Sequence, residues 1–316
     1  MVDRDAVVAA RARIAGSIVR TPLIEASLDG HSLWLKCESL QTGGAFKLRG
    51  ASNRLLQLTA AERARGVVAF SSGNHAQGVA IAARRLGIGA TIVMPADAPL
   101  LKVEGTRAEG AEVIFYDRLT EDRILIAARL AAESGATVVP SFDDPHIVAG
   151  QGSVGLEILD QLGRSPARIV VPCGGGGLAA GIALACPDAD IVIVEPDGWD
   201  DMARSLALGE IVPVESSAPP TLCDALQTPR VSPITFDILR SRRASALSVS
   251  DAEVEAAIRW VWREQKLVIE PGGAVGLAAL LAGKVDPVPD TVVVLSGGNI
   301  DPALHARIVG ERIVAA

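Results

Sequence analysis

Residues 168–178 read Arg-Ile-Val-Val-Pro-Cys-Gly-Gly-Gly-Gly-Leu, and Ala-Ala-Gly-Ile-Ala-Leu-Ala follows them. The β-branched run before the glycines is typical of a buried strand, and the Ala/Leu-rich segment after them is typical of a helix. Because glycines carry no side chain, successive backbone N–H groups at a helix N-terminus can bind an anion, most often phosphate. A plain strand-to-helix turn needs only one or two glycines, so four favour a ligand loop. The spacing matches neither GxGxxG nor GxxxxGK[ST], so it supports neither a dinucleotide site nor a P-loop.

The same alternation of short β-branched runs and longer amphipathic stretches continues along the whole chain, which predicts an α/β protein with mostly parallel sheets. Predicted strands cover residues 33–37, 67–70, 91–94, 112–115, 137–139, 169–171, 191–194 and 291–295. Predicted helices cover residues 4–15, 48–58, 75–86, 101–109, 121–134, 147–162, 178–185, 251–265, 274–281 and 302–309. Residues 52–136 hold enough strand–helix units for a small domain, and 1–50 with 140–316 would form a larger one. The Pro/Ser/Thr-rich segment 213–233 is predicted to be a long surface or active-site loop.

The composition predicts the kind of core and excludes several classes of protein. With 49% hydrophobic and only 3% aromatic residues among 316, the core is expected to be aliphatic. Thirty basic and 37 acidic residues give a net charge of −7 with no Lys/Arg-rich run, so we expect no nucleic-acid partner. The longest apolar runs are too short for a membrane helix, and segment 1–16 lacks the apolar stretch of a signal peptide. Four widely spaced cysteines without a CxxC pair indicate reduced thiols, and we expect a cytoplasmic protein.

A second glycine-rich stretch covers residues 36–51, Lys-Cys-Glu-Ser-Leu-Gln-Thr-Gly-Gly-Ala-Phe-Lys-Leu-Arg-Gly-Ala. Lys47 follows the glycine turn and opens an apolar helix, with Phe46 and Leu48 on either side of it. A lysine that is partly buried near a helix N-terminus has a lowered pKa, as a Schiff-base amine needs. Taken alone, these residues also fit a solvated lysine on the first turn of a helix.

Two further stretches follow predicted strands and contain small polar residues. Residues 71–78, Ser-Ser-Gly-Asn-His-Ala-Gln-Gly, could bind a carboxylate through small donors and backbone N–H groups at a helix start. An ordinary helix cap at Ser72 or Asn74 also fits, and His75 alone fits a structural histidine. Residues 296–300, Ser-Gly-Gly-Asn-Ile, lie at a strand end, where open α/β sheets bind ligands, although a plain turn is the alternative.

A phosphate loop, a Schiff-base lysine, a carboxylate loop and a strand-end serine are together the parts of a pyridoxal-phosphate enzyme. The motifs GAFKLRGA, SSGNHAQG, CGGGGL and SGGN occur in an order and spacing that resemble the tryptophan-synthase-β-like family of fold type II pyridoxal-phosphate enzymes. Within that family the chain is most similar to the threonine/serine dehydratase and serine racemase branch. The resemblance runs from about residue 15 to residue 310. It implies two open, mostly parallel α/β domains with pyridoxal phosphate in the cleft between them.

The resemblance also implies a role for each motif residue. Lys47 would be the catalytic lysine that holds the cofactor, and Phe46 would lie against its ring. The phosphate would be bound by Gly174, Gly175, Gly176, Gly177 and Leu178. Asn74 would bond the ring oxygen of the cofactor, Ser296 its ring nitrogen, and Glu270 would lie near that end of the ring. The residues implied around the substrate carboxylate are Ser71, Ser72, Gly73 and His75, and Ser72 would be a second catalytic acid/base.

The acidic segment 195–201, Glu-Pro-Asp-Gly-Trp-Asp-Asp, resembles the divalent-cation loop of the serine racemase branch. There, an acid, a main-chain carbonyl four residues on and an acid six residues on bind Mg²⁺ or Ca²⁺. Here these would be Glu195, the Trp199 carbonyl and Asp201, and oxygen ligands suit such hard cations. A solvated acidic turn is the alternative interpretation.

The resemblance implies dehydration and deamination of a β-hydroxy-α-amino acid, L-threonine or L-serine by default, to a 2-oxo acid and ammonia. The alternatives are serine racemisation and a specialised substrate such as 3-hydroxyaspartate, a phenylserine or a hydroxyectoine-derived acid. A cationic pocket residue would favour an acidic substrate, but sequence alone does not place one. A non-catalytic cofactor-binding or regulatory protein would have lost Lys47 or the SSGNH loop, and both are present. Similar proteins are often homodimers, so a homodimer is expected.

Overall fold

The computed structural model describes residues 2–28, 30–71, 73–98 and 100–310. Its strands are β1 (Leu23–Leu28), β2 (His31–Cys37), β3 (Val67–Phe70), β4 (Ala90–Pro95), β5 (Glu112–Tyr116), β6 (Thr137–Val138), β7 (Arg168–Pro172), β8 (Asp190–Pro196), β9 (Ser245–Val249) and β10 (Thr291–Leu295). They form a six-stranded sheet in the order β1-β2-β10-β7-β8-β9 and a four-stranded sheet in the order β5-β4-β3-β6. Every pair of neighbouring strands is parallel except β1 and β2. The α/β class with mostly parallel sheets is therefore confirmed.

Helices connect and cover these strands. They are α1 (Arg4–Ile14), α2 (Lys47–Leu56), α3 (Ala60–Arg65), α4 (Asn74–Leu86), α5 (Leu100–Ala108), α6 (Arg123–Ser134), α7 (Pro145–Leu162), α8 (Gly177–Ala185), α9 (Asp201–Leu208), α10 (Pro233–Ser241), α11 (Asp251–Trp260), α12 (Pro271–Leu281) and α13 (Pro302–Gly310). Short helical turns occur at Glu38–Leu40, Asp224–Leu226 and Val261–Gln265. Within the described ranges, no helix combines the length and the apolar character that crossing a membrane would require.

The core is aliphatic, as the composition predicts. Val, Ile, Leu and Ala fill the space between each sheet and its helices, and among the described residues the buried aromatic side chains are Tyr116 and Phe236. The strands of the smaller sheet all come from the chain between residues 67 and 138, and the larger sheet takes the segments on either side. We propose the boundaries given above for the two domains, with β6 lying just past residue 136.

Five elements were not predicted from the sequence: β1, β9, α3, α9 and α10. β1 and β9 are the two edge strands of the larger sheet, and their side chains are only partly buried. Edge strands do not need the continuous apolar run of a central parallel strand, so the sequence pattern that identified the central strands is absent there. The three helices are short, which leaves too few turns for an amphipathic period to be recognised.

Four buried charged side chains join α2 to β2 and to α7. The Arg49 guanidinium donates to Glu38 Oε2 at 2.7 Å and to Glu157 Oε1 at 2.7 Å, and Lys36 Nζ donates to Glu157 Oε2 at 2.6 Å. These four side chains are at most 3% exposed and their formal charges cancel. Removing one partner of a buried ion pair is costly because the remaining charge is left uncompensated. The group, here called the Arg49 network, joins β2, α2 and α7.

We predict that Arg49→Leu lowers the free energy of unfolding by roughly 3–5 kcal/mol, because two carboxylates then lack their main cation. Urea denaturation followed by circular dichroism measures this change. The matched control is Arg129→Leu, since Arg129 contacts Glu133 on an exposed face of α6. An exposed pair of this kind contributes under about 1 kcal/mol. Equal effects of the two variants would contradict the structural role of the Arg49 network.

Candidate active site

A pocket lies between the two sheets, where loops follow the carboxyl ends of β3, β7 and β10 and where α2 begins. This is the edge at which open α/β sheets bind ligands. The structure brings the following predicted residues together in its lining: Phe46, Lys47, Ser71, Gly73, Asn74, His75, Gly174, Gly175, Gly176, Gly177, Leu178, Glu270 and Ser296. Ser72 lies outside the described residues, so its role stays a prediction.

Lys47 is the first residue of α2 and its amine projects into the pocket. Its Nζ donates to the Ser141 carbonyl at 3.2 Å and lies 5.1 Å from the centre of the Phe46 ring. Burial lowers the pKa of Lys47 to about 8, and the nearby Glu270 carboxylate opposes that shift. A much larger fraction of the amine is therefore uncharged near neutral pH than in an ordinary lysine, as a nucleophile or a base requires.

The glycine loop joins β7 to α8 beneath the ring of Phe142. Gly176 has a φ of +82°, which a residue with a side chain rarely adopts. A Cβ at Gly175 would lie 2.3 Å from the Phe142 ring, so only glycine fits there. The N–H groups of Gly177 and Leu178 have no partner within α8, because the first amides of any helix lack one. The loop can therefore present backbone donors and a positive helix end to an anion.

His75 lies in the first turn of α4, and its ring is almost fully buried. Burial lowers the pKa of His75 to about 3, with a further contribution from the charge of Lys47. The neutral ring donates from Nε2 to the Val139 carbonyl at 2.9 Å, since a carbonyl only accepts. Nδ1 is then an acceptor, so this side chain cannot donate to a carboxylate. Any contact of His75 with an anion would come from its backbone N–H.

Glu270 lines the pocket immediately before α12. Its Oε1 accepts a hydrogen bond from Asn74 Nδ2 at 2.5 Å, and among the described residues its Oε2 has no partner. Burial and the neighbouring Asp224 carboxylate raise the pKa of Glu270 to about 7. Ser296 lies in the same part of the pocket, and its carbonyl accepts from the Phe46 N–H at 3.1 Å.

Several lining residues were missed from the sequence. Arg118 and Lys102 each pair with an acid, Arg118 with Asp97 at 2.8 Å and Lys102 with Asp224 across the pocket. Arg123 is different: its guanidinium lies 5.8 Å from the centre of the Phe70 ring, and no carboxylate in the described ranges forms an ion pair with it. No motif marks these side chains, because they come from α5, α6 and the loop before α6. Asp224 lies in the segment 213–233, whose prediction as an active-site loop agrees with this lining.

The two acids predicted to bind a cation lie outside this pocket. Glu195 accepts from the N–H groups of Met202 at 3.1 Å and Ala203 at 2.8 Å, at the start of α9. Both carboxylate oxygens of Asp201 are buried, and neither has a hydrogen-bond partner among the described residues. Burial raises the pKa of Asp201 to about 7, and burial together with Asp201 holds the pKa of Glu195 well above its usual range. Two adjacent buried acids, of which Asp201 has unsatisfied oxygens, fit a cation.

Comparison with known proteins gives consistent results along nearly the whole chain. Residues 14–297 match the family model described as pyridoxal-phosphate dependent enzyme. The chain is 44% identical to an L-threo-3-hydroxyaspartate ammonia-lyase from Pseudomonas sp., with 96% of this chain and 97% of the relative covered. It is 40% identical to the Saccharomyces cerevisiae protein of the same name, with 95% and 94% covered. The structure of maize serine racemase superposes with a TM-score of 0.91 at 36% identity, covering 97% of this chain and 96% of that one.

The Lys47 amine of the ligand-free protein is predicted to react with an acylating reagent with a half-maximal rate near pH 8, because only the uncharged amine is nucleophilic. In Glu270→Gln this midpoint should move to lower pH, since the Glu270 carboxylate raises the pKa of Lys47. Residue-resolved mass spectrometry across a pH series measures both midpoints. A midpoint near 10.5, the ordinary value for lysine, would show that the amine is not desolvated.

Proposed function

Because the chain belongs to the family of pyridoxal-phosphate dependent enzymes, we propose that it is an ammonia-lyase for a β-hydroxy-α-amino acid whose side chain carries a carboxylate. L-threo-3-hydroxyaspartate is the best candidate, and a small substrate such as threonine or serine is the second. The observation that carries this choice is Arg123, a pocket cation without an acidic partner in the described part of the chain. The names of the relatives from Pseudomonas sp. and S. cerevisiae support it.

The pocket residues fit pyridoxal phosphate. A half-buried lysine, a glycine loop at a helix N-terminus and aromatic rings line the same cleft. We propose that Lys47 holds the cofactor covalently, that Gly174, Gly175, Gly176, Gly177 and Leu178 bind its phosphate, and that Phe46 lies against its ring. Asn74, Glu270 and Ser296 would contact the polar atoms of the ring. When bound, the cofactor withdraws electrons from the Cα of the substrate and so makes loss of the Cα proton easier.

The remaining chemistry depends on this chain's own groups. The backbone N–H groups at the start of α4 would bind the α-carboxylate, beside Ser71 and Gly73. Released by the incoming substrate amine, the Lys47 amine would take the Cα proton, which its lowered pKa allows. The β-hydroxyl would then leave as water by taking up one proton, which balances the proton that Lys47 removed from Cα, and hydrolysis of the resulting enamine would give a 2-oxo acid and ammonia. Arg123 would hold the second carboxylate throughout.

We predict that Arg123→Leu raises KM for L-threo-3-hydroxyaspartate by about 10–100-fold, the usual effect of losing one charged hydrogen bond. KM for threonine or serine should change little, because neither has a second carboxylate. Ammonia release measured for each substrate gives both values. Arg129→Leu is the matched control, since Arg129 lies on the same helix but contacts Glu133 outside the pocket.

A uniform loss for all three substrates would contradict the assignment of Arg123, and equal use of threonine by the unaltered enzyme would favour the second candidate. Lys47→Ala tests the lyase assignment itself. It should abolish both the visible absorption of the lysine-bound cofactor and all ammonia release. If both persist, the proposed function is wrong.

We also propose that Glu195, the Trp199 carbonyl and Asp201 bind Mg²⁺ or Ca²⁺. Among the described residues no group of three or more His, Cys, Asp or Glu side chains could hold a metal ion, so main-chain and water oxygens would complete the ligand set. The unpartnered oxygens of Asp201 support this proposal. A bound cation would also remove the repulsion between the two buried acids.

For this site we expect Mg²⁺ or Ca²⁺ to raise the Tm of the unaltered protein in a concentration-dependent manner, because a ligand of the folded state stabilises it. In Asp201→Asn the increase should disappear, whereas in Asp200→Asn it should persist. Asp200 is a suitable control because its carboxylate lies 3.4 Å from Arg204 Nε on the same helix end. A Tm that does not respond to either cation would rule the site out.

A further inference from the structure

The side-chain NH₂ group of Asn299, in the loop after β10, lies within hydrogen-bond distance of three oxygens, so one of its two hydrogens is shared between two acceptors. Its Nδ2 lies 2.8 Å from the Gly43 carbonyl oxygen, 2.8 Å from Asn74 Oδ1 and 3.1 Å from Gln77 Oε1. Gly43 lies in the turn before Lys47, and the other two partners lie in the first turn of α4. One side chain therefore connects the loop of the larger sheet to both the Lys47 turn and the helix that carries Asn74.

The chemistry of these partners fixes which way each amide faces. A side-chain amide has a donor end and an acceptor end of nearly the same shape, so only its partners decide the orientation. The Gly43 carbonyl can only accept, which requires the NH₂ group of Asn299 to face it. The same NH₂ group faces Asn74, so Asn74 must present its oxygen there. The NH₂ group of Asn74 then points to Glu270, to whose Oε1 it donates at 2.5 Å.

The backbone around Asn299 favours this orientation of its side-chain amide. Gly43 and Gly44 both have positive φ, +78° and +72°, so the turn can present the Gly43 carbonyl to the amide. A Cβ at Gly44 would lie 2.2 Å from Asn299 Oδ1, so the amide packs directly against a backbone without a side chain. The Gly298 N–H also donates to the Gly44 carbonyl at 2.8 Å, which joins the two loops next to the amide.

We infer that Asn299 is a positioning residue that holds the NH₂ group of Asn74 toward Glu270 and toward the ring oxygen of the bound cofactor. The inference rests on the proposed function, in which Asn74 contacts that oxygen. If Asn74 turned around, its oxygen would face the Glu270 carboxylate, and the ring oxygen would lose its donor. An acceptor at position 299 would cause this reversal, because Asn74 would then have to donate to residue 299.

Asn299→Asp is the direct test, since the substitution keeps the shape and removes the donor. We expect it to weaken cofactor binding by roughly tenfold or more, as the loss of a buried hydrogen-bond partner does. Titration of the ligand-free protein with pyridoxal phosphate, followed by absorbance, gives the dissociation constant. In Asn74→Asp both side-chain oxygens are acceptors, so the ring oxygen of the cofactor again loses its donor. This variant should therefore produce the same shift of the visible absorption band as Asn299→Asp.

Gln77→Glu is the matched control. The substitution adds a negative charge next to the Asn299 amide but keeps an acceptor for it. The orientation of Asn74 is therefore preserved. Because Gln77 does not line the pocket, we expect binding within about twofold of the unaltered protein and no shift of the band. A positioning role predicts the band shift in the two Asp variants, whereas a merely structural role would lower the Tm without altering the spectrum.

Three outcomes would overturn the inference: unchanged binding and spectrum in Asn299→Asp, an equal loss in Gln77→Glu, or different band shifts in the two Asp variants. Where Asn299→Asp does not fold by circular dichroism, Asn299→Ala removes the donor without adding charge and should still weaken binding. Unchanged binding in Asn299→Ala would then overturn the inference. If the unaltered protein takes up no cofactor, or if Lys47→Ala keeps the visible band, the proposed function fails and this inference fails with it.

Discussion

Helix α2 is fixed at its first turn by Arg49, whose charged guanidinium is fully buried. Arg49 lies two residues after Lys47, and its guanidinium is held between two buried carboxylates that belong to different parts of the chain. A buried charge is tolerated only when its partners satisfy it, so the position of Arg49 allows little adjustment. Because a helix is rigid over one turn, the start of α2 and the backbone of Lys47 are fixed with it. The pocket therefore depends on an ion network that contributes nothing to its surface.

The second constraint on the pocket is hydrogen bonding between loops at the carboxyl ends of the strands. The residues before Lys47 pair with the loop after β10, through Phe46 to Ser296 and through Gly44 to Gly298. Parallel strands bring their carboxyl ends to one edge of a sheet, so loops distant in sequence meet there without any local signal for it. Backbone pairing between these loops then sets the spacing between the lysine and the rest of the pocket.

Much of this site could be predicted from the sequence, because most of the predicted residues belong to glycine-rich motifs that follow strands. Such motifs are local, and the parallel topology brings them together. Arg123, Lys102 and Phe142 could not be found in this way, since they are single side chains in segments without a motif. Whether a cation is already neutralised is a further property of the folded chain: Lys102 pairs with Asp224, and Arg123 has no acidic partner in the described ranges.

The distribution of charge explains how an acidic chain could bind anions. The net charge is −7, yet Lys47, Lys102, Arg118 and Arg123 all line one pocket. Burial keeps His75 neutral, and it raises the pKa of Glu270 to about 7, so this carboxyl is only partly ionised at neutral pH. Two of these cations are already paired, whereas Lys47 and Arg123 form no ion pair with a carboxylate in the described part of the chain. In the proposed function the lysine beside the glycine loop serves a phosphate-bearing cofactor, and Arg123, a second and separate cation, serves a substrate with a second carboxylate.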